Sequence, residues 1–446
     1  MRKHFLSLLF ITAIPATSLL AQEATPLSLQ QSIDYALKNN LTAKNSRIDI
    51  DIQKSQNNQT TAAAYPRING KAELDDFPNP QKQFIDGTYF GSPGKIVSFS
   101  FSLPYATSAG ISGSQLLFDG SVAIALKARN AAMEFARQNS AVTEEAVRYN
   151  IIKAYKWLVI IHEEYEIVKS TMKYARSAQH DMHVTFEQGF AEKVDVERTD
   201  VQVNNLVSDS MRIANSNVVS EQALKFVMGM DINTPIVLTD TNFEAYNTES
   251  LSLIDMTADY ERVPEFSVLK TVVTLNGYNL KRYQLAGLPS LSAFGGLGYN
   301  YGSNHFADLW KFNSTYAFNS AVGLQLNVPI FNGMQRRNQV WEAKLNVQKA
   351  NNNLQFMKQN IDEMSSQSRN NLKNAMLQVA TQKRNLELAN DVLDLSEKKY
   401  KAGVGSNQEV TLAQTEQLRA QNAYFNALFD MITAQTDLKK YLGLLK

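Results

Sequence analysis

Cysteine is absent from this chain of 446 residues, which excludes a disulfide framework, a thiolate metal site and a cysteine nucleophile. An excess of charge of one sign is also missing, because 44 lysines and arginines stand against 43 aspartates and glutamates, for a formal net charge of +1. Removal of Arg2 and Lys3 with a leader would leave it at about −1. This balance gives no reason to expect a nucleic acid as a partner.

Long apolar runs are scarce. Residues 1–21 predict a secretory signal peptide, with a basic start, an apolar core at Phe5–Ile14 and a cleavage point before Gln22. The alternative is a short membrane anchor, but the apolar run is shorter than the roughly 20 residues that a spanning helix needs. No later stretch is apolar over that length. We therefore expect an exported mature chain, residues 22–446, that can insert into a membrane only through strands.

Catalytic and cofactor motifs are lacking as well. The histidines beyond the leader, His162, His180, His183 and His305, are scattered. His180 and His183 share one helix face, and we interpret them as solvated side chains rather than as a metal pair. The glycine-rich stretch at residues 295–298 lies inside an alternating strand and lacks the ending of a phosphate-binding loop. The sequence therefore predicts no enzyme, no cofactor and no metal site.

What the chain does contain is an internal duplication. The same short motifs occur in the same order in both halves. The first half has Pro66, Phe118-Asp119-Gly120, Gly189 and Gly229, and the second has Pro289, Phe331-Asn332-Gly333, Gly403 and Gly443. Gly189 and Gly229 are 40 residues apart, and so are Gly403 and Gly443. A long repeat is interpreted before any single motif. We predict two structural repeats, residues 22–230 and 231–446, each with the order helix, strand, strand, long helix, turn, helix.

The predicted strands alternate between apolar residues and polar or small ones. They cover Ile68–Leu74, a segment from Val97 that bends at Pro104 and continues to Phe118, Leu291–Tyr299, and Val322–Ile330, with a loop at residues 77–95. An apolar face opposite a polar face is the pattern of outer-membrane strands. A half-buried sheet of a soluble protein has the same period. Together with the signal peptide and the long helices, the strands favour a membrane barrel.

The number of strands has a consequence for assembly. Four long strands from one chain cannot close a membrane barrel, because the smallest barrels have about 8 strands. Open sheet edges are not tolerated in lipid. The chain must therefore oligomerise: two chains would supply 8 strands and three chains would supply 12.

The helical segments that follow the strands are unusually long. A helix of about 69 residues is roughly 100 Å long, at 1.5 Å per residue. Its apolar residues follow one another in alternating steps of four and three residues, which is a heptad pattern. This stripe consists of Val147, Ile151, Ala154, Leu158, Ile161, Tyr165, Val168, Met172 and Ala175. Further apolar residues, among them Tyr149, Ile152, Tyr155 and Trp157, lie outside this stripe. A helix that buries two sides packs in a cylinder; the alternative is a simple antiparallel coiled-coil hairpin.

The order and spacing of the paired motifs resemble those of the TolC-type outer-membrane efflux protein family, over about residues 27–445. The resemblance implies a mixed α and β fold, in which long antiparallel helical hairpins form an α-barrel. Four strands per chain would join a 12-stranded transmembrane β-barrel in a homotrimer. It further implies a place in the cell outer membrane with an extension into the periplasm.

The function implied by the resemblance is that of a passive exit duct. Such a channel works with a periplasmic adaptor and an inner-membrane transporter in a tripartite efflux system. One alternative is the outer-membrane component of a type I protein secretion system, which nothing in the sequence separates from efflux. A second alternative is a soluble periplasmic coiled-coil adaptor, but the sequence shows none of the lipoyl-like modules expected between its hairpin halves.

Two acidic residues are the candidate gate residues. Asp195 and Glu409 each lie six residues beyond the glycine of an equivalent turn. In the family, acids at this position line the constricted periplasmic entrance. The next acidic position of the family pattern holds Arg198 and Leu412 here, so a double acidic ring is not expected. A structural explanation of Glu409 is a helix start, because it follows Ser406 at capping-box spacing.

The turns themselves form the tips of the helical hairpins. Gly189 in the first repeat and Gly403 and Gly405 in the second are the candidate surfaces for contact with the adaptor. Small residues allow a partner helix to approach closely. Glycine is also the usual residue where a helix ends, so this assignment has a structural alternative.

Overall fold

The computed structural model describes residues 25–100, 102–240, 245–310 and 316–445; the predicted signal peptide lies outside these ranges. The strands and helices, in chain order, are β1 Thr25–Leu27, α1 Leu29–Asn39, α2 Leu41–Ala62, β2 Arg67–Asp76, β3 Lys82–Asp86, β4 Ile96–Ser100, β5 Tyr105–Phe118, α3 Gly120–Glu187, α4 Lys193–Met228, β6 Ile236–Leu238, α5 Ala245–Ile254, α6 Pro264–Leu285, β7 Ser290–Ser303, β8 Ala317–Asn327, α7 Gln335–Lys401 and α8 Asn407–Tyr441.

The element order repeats along the chain. The series α2, β2, β5, α3, α4 in the first half has its counterpart in α6, β7, β8, α7, α8 in the second. The long helices also match in length, with 68 and 36 residues in the first half and 67 and 35 in the second. The predicted mixed class and internal duplication are confirmed. The assembly of three chains into barrels stays a prediction.

Four strands form one antiparallel sheet in the order β2, β5, β7, β8. Its register places Ile68 opposite Gly113, Gly113 opposite Gly295, and Gly295 opposite Val322, so these positions share one face. The same face carries Ala72, Leu74, Ile111, Leu297, Tyr299 and Leu324, whereas the other face carries Asn69, Lys71, Ser112, Asn319 and Gln325. The apolar face is uncovered within the chain, since Val322 is 90% exposed. The predicted division into an apolar and a polar face therefore agrees with the register.

The prediction of one bent strand from Val97 to Phe118 is wrong. Pro104 separates two strands that belong to different sheets: β4 pairs with β3, and β5 begins at Tyr105 and pairs with β2 and β7. Proline has no N–H to donate to a sheet ladder, and its carbonyl here accepts a hydrogen bond from the Phe77 N–H at 2.6 Å. The predicted loop at residues 77–95 likewise contains β3 and a 3-10 turn at Gly87–Phe90.

Helix α3 buries two sides, as its surplus of apolar residues predicts. Ile151 and Tyr155 pack with α1, β1 and the end of α4, in a cluster that includes Leu27 and Leu224. Ile160 packs instead with α5, α7 and α8, in a cluster that includes Leu253, Leu372, Phe425, Met431 and Leu438. Most of the predicted heptad stripe, from Val147 to Ala175, is buried.

A short parallel strand pair joins the two halves near the middle of the long helices. β1 pairs with β6, with Thr25 opposite Ile236 and Leu27 opposite Leu238. The Tyr155 hydroxyl donates a hydrogen bond of 2.8 Å to the Leu27 carbonyl and fixes this pair to α3. Among the helices in the described ranges, none is both long and apolar enough to cross a membrane.

Candidate functional site at the hairpin tips

Both hairpin tips end their first helix in the same way. Gly189 follows α3 with a φ of +82°, and Gly403 follows α7 with a φ of +76°. The N–H of the next residue then donates back to the helix, from Phe190 to the Thr185 carbonyl and from Val404 to the Lys399 carbonyl, both at 3.0 Å. This is the usual left-handed helix ending, in which glycine carries no steric penalty. Helix termination is therefore sufficient to explain both glycines, and contact with an adaptor stays a prediction.

Gly405 is constrained differently. A Cβ atom at this position would lie 3.0 Å from both Lys399 Cβ and Tyr400 N. The Gly405 N–H also donates to the Lys399 carbonyl at 3.1 Å. The turn thus folds closely against the last turn of α7, and a larger residue would push the two apart.

The two tips contact each other through a small polar network. Asn407, the first residue of α8, donates from Nδ2 to Thr199 Oγ1 of α4 at 3.3 Å, and it also lies 3.5 Å from the Asp195 carbonyl oxygen. Thr199 Oγ1 in turn donates to that carbonyl at 2.9 Å. Further along both helices, the side chains of Gln202 and Gln414 form a second hydrogen bond between α4 and α8. The starts of both second helices are therefore held side by side.

Asp195 lies inside this contact rather than in open solvent. Its side chain is 28% exposed, and Arg198 Nη1 lies 3.7 Å from its Oδ1 atom. Burial and then the negative charge of Asp195 raise the pKa of Tyr400 in α7. The residue that breaks the family pattern, Arg198, is thus an ion-pair partner of the candidate gate residue.

Glu409 lies in the first turn of α8. Its backbone N–H donates to Ser406 Oγ at 3.2 Å, which is the helix-cap contact that the spacing predicted. The reciprocal contact of a capping box, from the backbone N–H of Ser406 to the carboxylate of Glu409, is not formed. Glu409 is exposed, and its carboxylate has no ion-pair or hydrogen-bond partner within the described ranges. The cap therefore depends on Ser406, and the charge of Glu409 is directed to solvent.

The structure brings the two acids to the same end of the molecule, one at the start of each second helix. The sequence alone did not single out Asn407 and Thr199, which contact the Asp195 carbonyl, or Tyr400. The signal available was their position: Asn407 is the helix-start residue of α8, and Tyr400 and Thr199 lie three and ten residues from a tip glycine. Polar residues at such positions are so common that spacing alone does not distinguish a contact between hairpins.

One histidine of the pair, His183, contacts an acidic residue of the neighbouring helix. His183 Nε2 lies 3.0 Å from Asp200 Oδ1, and Gln179 Nε2 donates to the same oxygen at 2.7 Å. The hydrogen bonds from Gln179 and His183 lower the pKa of Asp200. His183 therefore links α3 to α4. In the part of the chain that the structure describes, no group of three histidines and acids is placed to hold a metal ion.

A groove of about 870 Å³ runs between α4 and α8 above the tips. Val194, Val201, Leu206 and Leu418 supply its apolar lining, and Arg198 and Arg419 are among its polar residues. The groove begins directly beside the polar network that holds the two tips together. The tip region is thus a mixed apolar and polar surface that is open to water.

Comparisons with known proteins agree with this architecture. The family model described as "Outer membrane efflux protein" matches residues 278–444. "Outer membrane protein TolC" from Vibrio cholerae is 23% identical over 341 residues, which cover 76% of this chain and 77% of that protein. "Alkaline protease secretion protein AprF" from Pseudomonas aeruginosa is 20% identical over 301 residues, covering 66% of this chain and 61% of that one.

Solved structures extend the likeness over nearly the whole chain. The Campylobacter jejuni CmeC outer membrane channel superposes with a TM-score of 0.71 at 18% identity, covering 93% of this chain and 85% of that one. The fold is therefore that of this outer membrane channel. The predicted resemblance to the TolC-type outer-membrane efflux proteins is confirmed. The predicted location, the outer membrane with an extension into the periplasm, is confirmed with it.

Proposed function

We propose that this chain is the outer-membrane exit duct of a tripartite efflux system. The observation that carries the proposal is the four-stranded sheet, which leaves a continuous apolar face uncovered while its opposite face is polar. An apolar outside and a polar inside are what a strand needs between lipid and a water-filled lumen. The long hairpins would continue the duct into the periplasm. The chain would do no chemistry and would conduct solutes passively.

Closure of the duct requires further copies of the chain. β2 and β8 each have a hydrogen-bonded neighbour on one side only. In lipid both free edges must be paired, and pairing β8 of one chain with β2 of the next satisfies them. We propose a homotrimer with 12 strands, because that is the assembly that the family resemblance implies. Each protomer would consist of two repeats, residues 22–230 and 231–446, after removal of residues 1–21.

The hairpin tips are the proposed working end. Asp195 and Glu409 would line the periplasmic entrance. Gly189, Gly403 and Gly405 would face a periplasmic adaptor, which in turn would connect the duct to an inner-membrane transporter. The exposure of Glu409 and the groove between α4 and α8 support a tip that meets solvent and a partner.

Protein secretion is the second candidate function. One relative is named a protease secretion protein, so the same duct would serve an exporter of polypeptides. A soluble periplasmic adaptor is disfavoured, because such a protein has no use for a sheet whose apolar face is left uncovered, with Val322 at 90% exposure.

The test is fractionation followed by measurement of mass. We expect the mature protein to separate with outer membranes and to run in mild detergent as three chains. Release of a monomer into the periplasmic fraction after cleavage of the leader would contradict the proposal. Efflux and protein secretion are distinguished by deleting the gene and measuring drug accumulation and the secreted proteins separately.

A further inference from the structure

The polar face of the four-stranded sheet has one aromatic side chain. In cross-strand rows, Ser114 lies opposite Phe294 and Phe294 opposite Gly323, while the next row has Ser112, Gly296 and Ala321. The row beyond that has Gly110, Gly298 and Asn319. On the described lengths of these strands, Phe294 is the one aromatic residue of this face, which otherwise carries small and polar residues apart from Leu116, opposite Ser292. Under the proposed function this wall faces the lumen.

The ring of Phe294 lies across its neighbour on β8. A Cβ atom at position 323 would lie 2.8 Å from Phe294 Cζ and 3.0 Å from its Cε1 atom, so glycine leaves the room that the ring occupies. The side chain is still 43% exposed. One side of the ring is therefore covered by the sheet and the other is open to the lumen.

A depression of about 490 Å³ adjoins this ring on the same face. Its floor is made of residues without large side chains, including Gly110, Ser112, Gly296 and Gly298. Lys71, Asn300 and Asn319 line its far part. Gly298 lies four residue steps beyond Phe294 on β7, which is about 14 Å along an antiparallel strand. The depression thus has an aromatic end and a polar end at the separation of the two ends of a small amphiphile.

We propose that this depression, here called the lumen site, is a contact site for exported solutes that carry an aromatic ring and a polar end. The inference rests on the proposed function, because it needs the polar face to line a duct. An aromatic ring of the solute would stack on the open side of Phe294. The amides of Asn300 and Asn319 and the ammonium of Lys71, which is also paired with Glu73, would bind its polar atoms at the other end. A closed trimer would present three such sites.

A structural explanation competes with this one. Phe294 would then only cover the backbone of Gly323, as aromatic residues do beside glycines in sheets. The two explanations differ in a measurable way. A purely structural ring affects folding of the barrel, whereas a contact site also affects how long an aromatic solute stays in the open duct.

The experiment compares two uncharged probes in single channels in planar bilayers. N-acetyl-tryptophanamide carries an aromatic ring, and N-acetyl-leucinamide has the same polar groups without one; both are shorter than the depression, so the comparison tests its aromatic end. We expect the tryptophan compound to interrupt the current of the wild-type channel for longer than the leucine compound. Phe294→Leu should shorten the tryptophan dwell time about 2- to 12-fold and leave the leucine dwell time unchanged.

The matched control is Phe318→Leu. Phe318 belongs to the same sheet, is 58% exposed and packs on Tyr299 of the apolar face. It should leave both dwell times unchanged. Phe294→Trp presents a larger aromatic ring and should lengthen the tryptophan dwell time but not the leucine dwell time; an unchanged tryptophan dwell time would contradict the lumen site. That variant decides the question if Phe294→Leu fails to insert.

The outcomes separate the two levels of the proposal. A channel that conducts, with dwell times unaffected at position 294, overturns the lumen site and leaves the exit duct standing. Equal shortening by Phe294→Leu and Phe318→Leu overturns it as well, because the effect would then come from the barrel as a whole. A wild-type protein that forms no channel overturns the proposed function, and the lumen site with it.

Discussion

Arg198 Nη1 lies 3.7 Å from Asp195 Oδ1, one turn further along α4. The two side chains are 46% and 28% exposed, so solvent screens the pair and its contribution to stability is small, about 0.2–1 kcal/mol. The pair would matter more for ion selectivity in the proposed pore, because the family pattern has a second acid at the position of Arg198. The carboxylate of Asp195 is paired with Arg198, whereas the carboxylate of Glu409 has no cationic partner in the described ranges.

The first prediction concerns ion selectivity at the tips. In a trimer, three copies of Asp195 and Glu409 would attract cations to a narrow entrance and weaken anion entry, and salt would reduce the effect. Asp195→Asn combined with Glu409→Gln removes the charge at similar size. We expect planar-bilayer recordings to show a loss of cation preference and of block by multivalent cations. Unchanged selectivity in assembled trimers would leave both acids as helix-start residues.

Arg198 supplies the opposite test of the same idea. Arg198→Gln removes the positive charge beside Asp195 and should increase cation preference over the wild type. Arg212→Gln is its control, because Arg212 pairs with Asp209 at 3.4 Å in the same i,i+3 geometry on the same helix. It lies about 21 Å further from the tip. A similar rise in both variants would show that the entrance does not set the selectivity.

The repeated order of helices and strands could be predicted from the sequence, whereas the smaller sheet and the contacts at the hairpin tips could not. The spacing of glycines and the heptad stripe predicted the helices, because long helices impose a period on every turn. The sheet of β3 and β4 was not predicted, because residues 82–86 do not alternate clearly and the pairing of β3 with β4 is a tertiary contact. Likewise, the spacing predicted that Asp195 lies at a tip. It did not predict that Asn407 of the other hairpin would reach it, because contacts across 212 residues leave no local pattern.

The second prediction tests which face of the sheet meets lipid. Leu324 lies on the apolar face of β8, and the next residue, Gln325, lies on the polar face. Leu324→Arg should cost roughly 2–4 kcal/mol near the bilayer midplane, whereas Gln325→Arg keeps its charge in water. We therefore expect the membrane-inserted fraction, measured after urea extraction of outer membranes, to fall much further for Leu324→Arg. Equal losses or the reverse order would show that the faces are assigned wrongly.

The third prediction follows from a buried acid where three helices meet. Glu145 of α3 is only 5% exposed, and burial together with the nearby charge of Glu265 of α6 raises its pKa to about 7. Lys440 of α8 and Arg148 of α3 lower it in part. The Oε2 atoms of Glu145 and Glu265 are buried without a hydrogen-bond partner in the described part of the chain. A proton on Glu145 relieves the repulsion between the two carboxyl groups.

A carboxyl group with a raised pKa makes the folded state hold its proton more tightly than the unfolded state does. The resulting stability is fully present below the ordinary pKa of 4.5 and is lost as the pH rises through about 7. Between pH 5 and pH 8 the loss is on the order of 2–3 kcal/mol. Glu145→Gln stays neutral at every pH, so its unfolding temperature should fall less between pH 5 and pH 8, by circular dichroism in detergent. Glu144→Gln, which removes only a partly exposed pair with Arg47, should keep the wild-type slope. Parallel pH profiles for wild type and Glu145→Gln would mean that Glu145 is already ionised in the folded protein and that Lys440 compensates its charge.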